Sequence, residues 1–151
     1  MAAEKYKLIT QRLVEWSQDE KLLEKLESET PFRIHWGTAP TGKIHLGYFV
    51  PLLKIVDFIK AGCEVTILFA DLHAILDNLK TTPDQLSVRV TYYETLICLM
   101  LEVLGADFDK LYFVQGTSYQ LSKKMMFDYF KLASQTTLRN AQKAGAEVVK
   151  M

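Results

Sequence analysis

Three short apolar runs, each closed by a turn and followed by residues of helical period, constrain this chain more than any other feature. They are Phe32 to Trp36, Cys63 to Ala70 and Leu111 to Gln115. The first leads through a glycine-rich turn into Leu52, Ile55, Val56 and Ile59, which recur at helical spacing. The second precedes a stripe of Leu86, Val90, Tyr93, Ile97, Met100 and Leu104. The third precedes helical stretches at 122–133 and roughly 135–147, with a break near Ser134. Strands that alternate with helices predict an α/β fold with a parallel sheet, because parallel neighbours need a crossover. The run from Cys63 to Ala70 is mostly apolar, which predicts a strand covered on both faces.

Punctuation supports this division. Pro51 is tolerable only in the first turn of its helix, and Gly62 is placed to cap the other end. Thr82-Pro-Asp-Gln85 reads as a capping box with proline at the first helical position, and Gly105 ends that helix. Residues 5–28 read as two short helices, with Ile9, Leu13 and Trp16 on one face and Leu22, Leu23 and Leu26 on another; Pro31 stops the second. The expected organisation is a helical segment at 1–30 followed by one α/β body at 31–151, and 151 residues suffice for one core.

The formal net charge is zero, which argues against a general polyanion-binding surface. Zero net charge leaves room for a local basic patch at Lys123, Lys124, Lys131, Arg139 and Lys143, whose plainer reading is a solvated helix face. Cys63 and Cys98 sit among apolar residues and read as buried thiols rather than a disulfide, and no metal-ligand spacing is present. No segment has the apolar length of a membrane span, and residues 1–6 lack the apolar core of a secretory signal, so no membrane and a cytoplasmic setting are the expectations.

Ligands of parallel α/β sheets bind at the carboxyl ends of the strands. The turn Gly37-Thr-Ala-Pro-Thr-Gly-Lys-Ile-His-Leu-Gly-Tyr48, Asp71, and Gly116 to Gln120 all fall there. Two phosphate-binding designs compete for the turn. Gly37-x-x-x-x-Gly42-Lys43 matches most of a P-loop, and Asp71 at the next strand end resembles its second carboxylate. But Ile44 stands where the magnesium-binding hydroxyl should be, and Pro40 removes a loop N–H. The other design places the chemistry on His45-Leu-Gly-Tyr48. His45 can donate to a phosphate oxygen at a helix start, Gly47 lets a flat base lie against the backbone, and Thr41 and Lys43 can reach a polyphosphate. The plain alternative for His45 is a helix cap.

Residues Trp36 to Pro51 resemble the signature region of class I aminoacyl-tRNA synthetases, most closely the tyrosyl enzymes of eukaryotic cytosolic and archaeal kind. Ala61 to Ala74, Gly116 to Leu121 and Lys143 to Lys150 agree, in order and at compatible spacing. The resemblance implies a Rossmann-type sheet and a two-step reaction. The tyrosine carboxylate attacks the α-phosphate of Mg·ATP, giving tyrosyl-adenylate and pyrophosphate, and the tyrosyl group then passes to the terminal ribose of tRNA(Tyr). By that resemblance His45 stabilises phosphate charge, Thr41 and Tyr48 line the ATP site, Lys43 reaches the phosphates and Gly47 underlies the adenine. Gly37 and Thr38 pass close to the adenylate, and His35, Leu68, Ala70, His73 and Gln120 match positions near L-tyrosine. Each has a plainer reading: Leu68 and Ala70 as sheet core, Asp71 as a turn cap, His73 as a structural histidine.

Two departures qualify the resemblance. The family usually has Tyr where this chain has His35. The chain also lacks a Tyr-x-x-x-Gln-x-x-Asp helix, a Lys-Met-Ser-Lys-Ser-type loop and an anticodon-reading domain; Lys123-Lys124-Met125 is not that loop. The expectation is therefore an N-terminal half of a Rossmann-fold catalytic domain, incomplete at its C-terminus and with little or no activity alone, from a parent that forms a homodimer. The rival expectations are a non-catalytic half-domain that binds a nucleotide or partner, and a tryptophanyl-tRNA synthetase fragment.

Overall fold

The computed structural model describes residues 2–15, 22–27, 31–76 and 82–146. Trp16, and the ends of several expected helices, lie outside them. The chain divides into two compact units, Met1–Gly116 and Thr117–Met151.

The first unit holds a three-stranded sheet of β1 (Arg33–Thr38), β2 (Glu64–Phe69) and β3 (Leu111–Gln115), all parallel, in the order β1-β2-β3. Helices α1 (Ala2–Thr10) and α2 (Leu22–Glu27) precede β1, α3 (Phe49–Lys60) joins β1 to β2, and α4 (Asp71–Leu76) and α5 (Pro83–Val103) join β2 to β3. The strand order advances in one direction, so crossovers of one hand place α3 and α5 on the same face. Val65, Ile67 and Phe69 of β2 point to that face and are at most 1% exposed. They pack with Leu52, Ile55, Val56 and Ile59 of α3 and with Val90, Tyr93, Ile97 and Leu101 of α5.

The winding corrects the expectation of a strand covered on both faces. Glu64, Thr66 and Leu68 alternate with the buried positions and are only half-buried. The apolar Leu68 belongs to an open face that it shares with Arg33, His35, Gly37 and Tyr112, the register pairing His35 with Thr66 and Gly37 with Leu68. Arg33 and Glu64 form an ion pair across it at 3.4 Å.

Helix ends follow the glycines. After α3, Gly62 (φ +87°) donates to Ile59 O and Cys63 to Phe58 O; after α5, Gly105 (φ +72°) donates to Glu102 O and Ala106 to Leu101 O. Both are Schellman closures, in which the left-handed residue turns the chain back onto the orphan carbonyls. At the start of α5, Pro83 is in the first turn as expected, but the Thr82 side chain makes no capping bond. The start is closed instead by the Gln85 N–H donating to Thr82 O. Leu13 is exposed and lies past the end of α1, so it does not continue the face of Ile9.

Lys54 ties α3 to the end of α1. Its buried ammonium donates to Leu8 O at 2.7 Å and Gln11 O at 2.8 Å, satisfying carbonyls at the end of α1. Burial lowers its pKa, opposed by Asp57. Cys63 is buried and Cys98 half-buried, both free thiols whose pKa burial raises. No helix among the described residues is long and apolar enough to cross a membrane.

The second unit contains α7 (Lys123–Gln135) and α8 (Leu138–Ala146), the break falling at 136–137 rather than at Ser134. The short helix α6 (Gly116–Gln120) begins at the end of the first unit. Ser122 caps α7, its Oγ accepting from the Met125 N–H.

Two glycine substitutions separate backbone strain from packing. A Cβ at Gly105 or at Gly145 of α8 would meet nothing within 4 Å, but only Gly105 has a positive φ. Gly105→Ala is expected to cost about 1–2 kcal/mol, and Gly145→Ala to stabilise by about 0.5–1 kcal/mol through helix propensity. Urea unfolding midpoints moving in opposite directions would check both.

Candidate functional site

The turn after β1 has no strand or helix partner for its backbone until residue 46, so its polar groups must be satisfied from elsewhere. The Thr41 N–H donates to Ala39 O within the turn, and three further groups meet side chains of α5. The Gly42 N–H donates to the Tyr93 hydroxyl and the Ile44 N–H to the Tyr92 hydroxyl, both at 3.3 Å. Arg89 Nη1 donates to Thr41 O at 2.7 Å. Pro40 is fully buried beneath the turn.

These bonds weigh against the P-loop design independently of the missing hydroxyl. Such a loop needs free N–H groups facing phosphate, and here two of them already face tyrosine hydroxyls.

His45 sits at the end of the turn, in extended conformation, as the cap of a single 3-10 turn, Leu46–Tyr48, that runs into α3. Its Nδ1 accepts from the Gly47 N–H at 3.1 Å. That bond requires a lone pair on Nδ1, so in the neutral ring the proton belongs on Nε2. The cap and the donor are therefore the same histidine: one nitrogen closes the turn, and the other is a donor on an exposed side chain. Gly47 is what makes this possible. A Cβ there would lie 2.8 Å from His45 Cε1 and 2.9 Å from Nδ1, closer than the ring could accept.

Tyr48 links the turn to the strand. Its hydroxyl bonds Thr38 Oγ1 at 3.2 Å and lies 3.5 Å from the Tyr93 hydroxyl, and its ring meets His45 edge-on at 5.4 Å. Burial, reinforced by the Tyr48 hydrogen bond, pushes the Tyr93 phenol up to about 12. Tyr93 thus remains a neutral hydroxyl throughout the physiological range. Ile44, His45, Leu46, Phe49 and Met100 line a mostly apolar hollow of about 300 Å3 beside the imidazole.

The structure brings Thr38, Thr41, Lys43, His45, Gly47 and Tyr48 together in this turn at the carboxyl end of β1, with Gly37 one residue before the strand ends. Lys43 is exposed and Thr41 half-buried. His35 and Leu68 share the open face of the sheet, on neighbouring strands. Ala70 follows β2, its N–H donating to Thr38 O at 2.9 Å, which ties the two strand ends together. His73 is exposed on α4, whose first residue, Asp71, is buried and accepts from the Leu72 N–H. Gln120 closes α6 within the second unit. No cluster of three or more His, Cys, Asp or Glu able to hold a metal occurs among the described residues.

Sequence reasoning missed the roles of Arg89, Tyr92 and Tyr93. Tyr93 reads as a core position from its spacing, and its ring is indeed buried. Two adjacent tyrosines cannot both face one helical stripe, and that was the available signal for a second role.

The family described as tRNA synthetases class I (W and Y) matches residues 27–150. A zebrafish (Danio rerio) protein named cytoplasmic tyrosine–tRNA ligase is 56% identical over 147 residues, 97% of this chain and 28% of the relative. The cytoplasmic tyrosine–tRNA ligase of Saccharomyces cerevisiae is 45% identical, again over 97% of this chain and 38% of the relative. A crystal structure of the Archaeoglobus fulgidus tyrosyl-tRNA synthetase with L-tyrosine superposes with a TM-score of 0.86 at 33% identity, covering 100% of this chain and 46% of that one. The chain thus spans under half the length of each. The parallel sheet, the histidine-capped turn at its edge and the match across residues 27–150 together make this chain a member of the class I tRNA synthetases (W and Y).

Proposed function

We propose that this chain provides the ATP-binding turn and one wall of the amino-acid pocket of a cytoplasmic tyrosine–tRNA ligase. The observation that carries the reading is the His45 cap, which leaves an exposed imidazole with Nε2 as its donor at the carboxyl end of a parallel strand. The names of the relatives, 45–56% identical, support tyrosine over tryptophan and a cytoplasmic setting.

In the first step a carboxylate oxygen of L-tyrosine attacks the α-phosphorus of ATP, supplied as its magnesium complex. The bond to the β-phosphate oxygen breaks and pyrophosphate leaves. Charge shifts onto the bridging oxygen and the departing phosphates, where His45 Nε2–H and the Lys43 ammonium donate. Thr41, Thr38 and Tyr48 line the nucleotide, Gly37 passes close to the adenylate, and Gly47 leaves room for both the imidazole and the adenine. His35, Leu68, Ala70 and His73 serve the tyrosine side, with the His35 imidazole bonding the substrate phenol; Gln120, in the second unit, is a further candidate for tyrosine. In the second step the tyrosyl group passes from the adenylate to the terminal ribose of tRNA(Tyr). Phe127, Phe130 and Leu132 of α7, each at least 60% exposed, support a homodimer.

Tyrosine-dependent exchange of pyrophosphate into ATP, measured on the complete gene product, tests the reading. His45→Ala is expected to lower kcat about 100- to 1000-fold, the loss typical of one removed charge-stabilising donor. An unchanged kcat would remove His45 from the reaction. Gly47→Ala is expected to approach the same loss, because its methyl displaces the imidazole. A Gly47→Ala variant with full activity would show that the cap does not set the histidine. His35→Ala is expected to weaken the preference for tyrosine over phenylalanine, since a satisfied phenol is what excludes the analogue lacking it.

A further inference from the structure

The nucleotide turn is held by hydroxyls of a helix that lies about fifty residues further along the chain. Three features converge on α5. Tyr93 accepts from the Gly42 N–H and lies 3.5 Å from the Tyr48 hydroxyl, Tyr92 accepts from the Ile44 N–H, and Arg89 donates to Thr41 O. The three rings Tyr48, Tyr93 and Tyr92 meet edge-to-face in series, with centroids 6.0 and 5.8 Å apart. Gly42 and Ile44 bracket Lys43, and Ile44 immediately precedes His45. Fixing those two amides therefore fixes the backbone that carries both candidate phosphate ligands.

We infer that Tyr93 and Tyr92 of α5, with Arg89, are positioning residues of the nucleotide site, setting the backbone of residues 41–44 so that Lys43 and His45 face the triphosphate together. This rests on the reading of the turn as the ATP site. None of the three touches the reacting atoms; they act through the turn. The ring of Tyr93 is buried core and its hydroxyl is the clamp, so removing the hydroxyl alone separates the two roles. Tyr93→Phe also removes the 3.5 Å contact of the Tyr48 hydroxyl, for which Thr38 Oγ1, at 3.2 Å, is the other partner.

The test uses Tyr93→Phe and Tyr92→Phe in the complete gene product, with MgATP and L-tyrosine as probes. Amide hydrogen exchange is expected to quicken about three- to tenfold at Gly42 in the first variant and at Ile44 in the second, the range for one lost net hydrogen bond. In pyrophosphate exchange the KM for ATP is expected to rise by a similar factor while the KM for tyrosine stays unchanged. Faster amide exchange with unchanged ATP constants overturns the inference while leaving the ATP site intact. So do equal losses for both substrates accompanied by a lower melting temperature, which would mean a merely structural role. A wild-type protein that uses no ATP overturns the reading of the site and the inference with it.

Discussion

The contact between β2 and the two helices α3 and α5 is the constraint on which the rest depends. Val65, Ile67 and Phe69 are inaccessible because both crossovers return over the same face. Fully burying side chains of this size contributes about 1.5–3 kcal/mol each, more than the roughly 0.5–1.5 kcal/mol of a neutral hydrogen bond such as those of Gly42 and Ile44. This packing fixes where α5 lies relative to the end of β1. The hydroxyls of Tyr92 and Tyr93 then reach the glycine turn without further adjustment. The same winding leaves the other face of the sheet open, with His35, Gly37, Thr66 and Leu68 along it. A covered face, and an open face and edge, are thus two results of one topology.

Much of this was legible in the residues. The third strand was read at its observed limits, and the first two within one or two residues, because short apolar runs bounded by turn residues leave little freedom. Gly62 and Gly105 marked helix ends because each needs a left-handed conformation that other residues resist. The short helices α4 and α6 were not foreseen. Each has one turn or little more and directly follows a strand, so neither develops a period that could announce it. The apolar run through Leu68 suggested two covered faces, and composition alone could not show that the strand order never reverses.

The site divides in the same way. His45, Gly47 and Tyr48 are neighbours in sequence, so their local chemistry could be read from their order. The clamp could not, because it joins residues 41–44 to residues 89–93, and the direction of a hydroxyl is not encoded in a helical stripe. The plain reading of His45 as a cap is what the structure shows. Capping through Nδ1 is what commits the neutral ring to a donor at Nε2.

On the proposed reading, the turn from Gly37 to Tyr48 receives ATP through His45. A crystal structure of the complete gene product with MgATP tests it most directly. A phosphate oxygen is expected within hydrogen-bond distance of His45 Nε2, with the Nδ1 contact to the Gly47 N–H retained. Nucleotide bound with its phosphates away from this turn, or a His45 ring turned so that Nδ1 faces the phosphates, would contradict it.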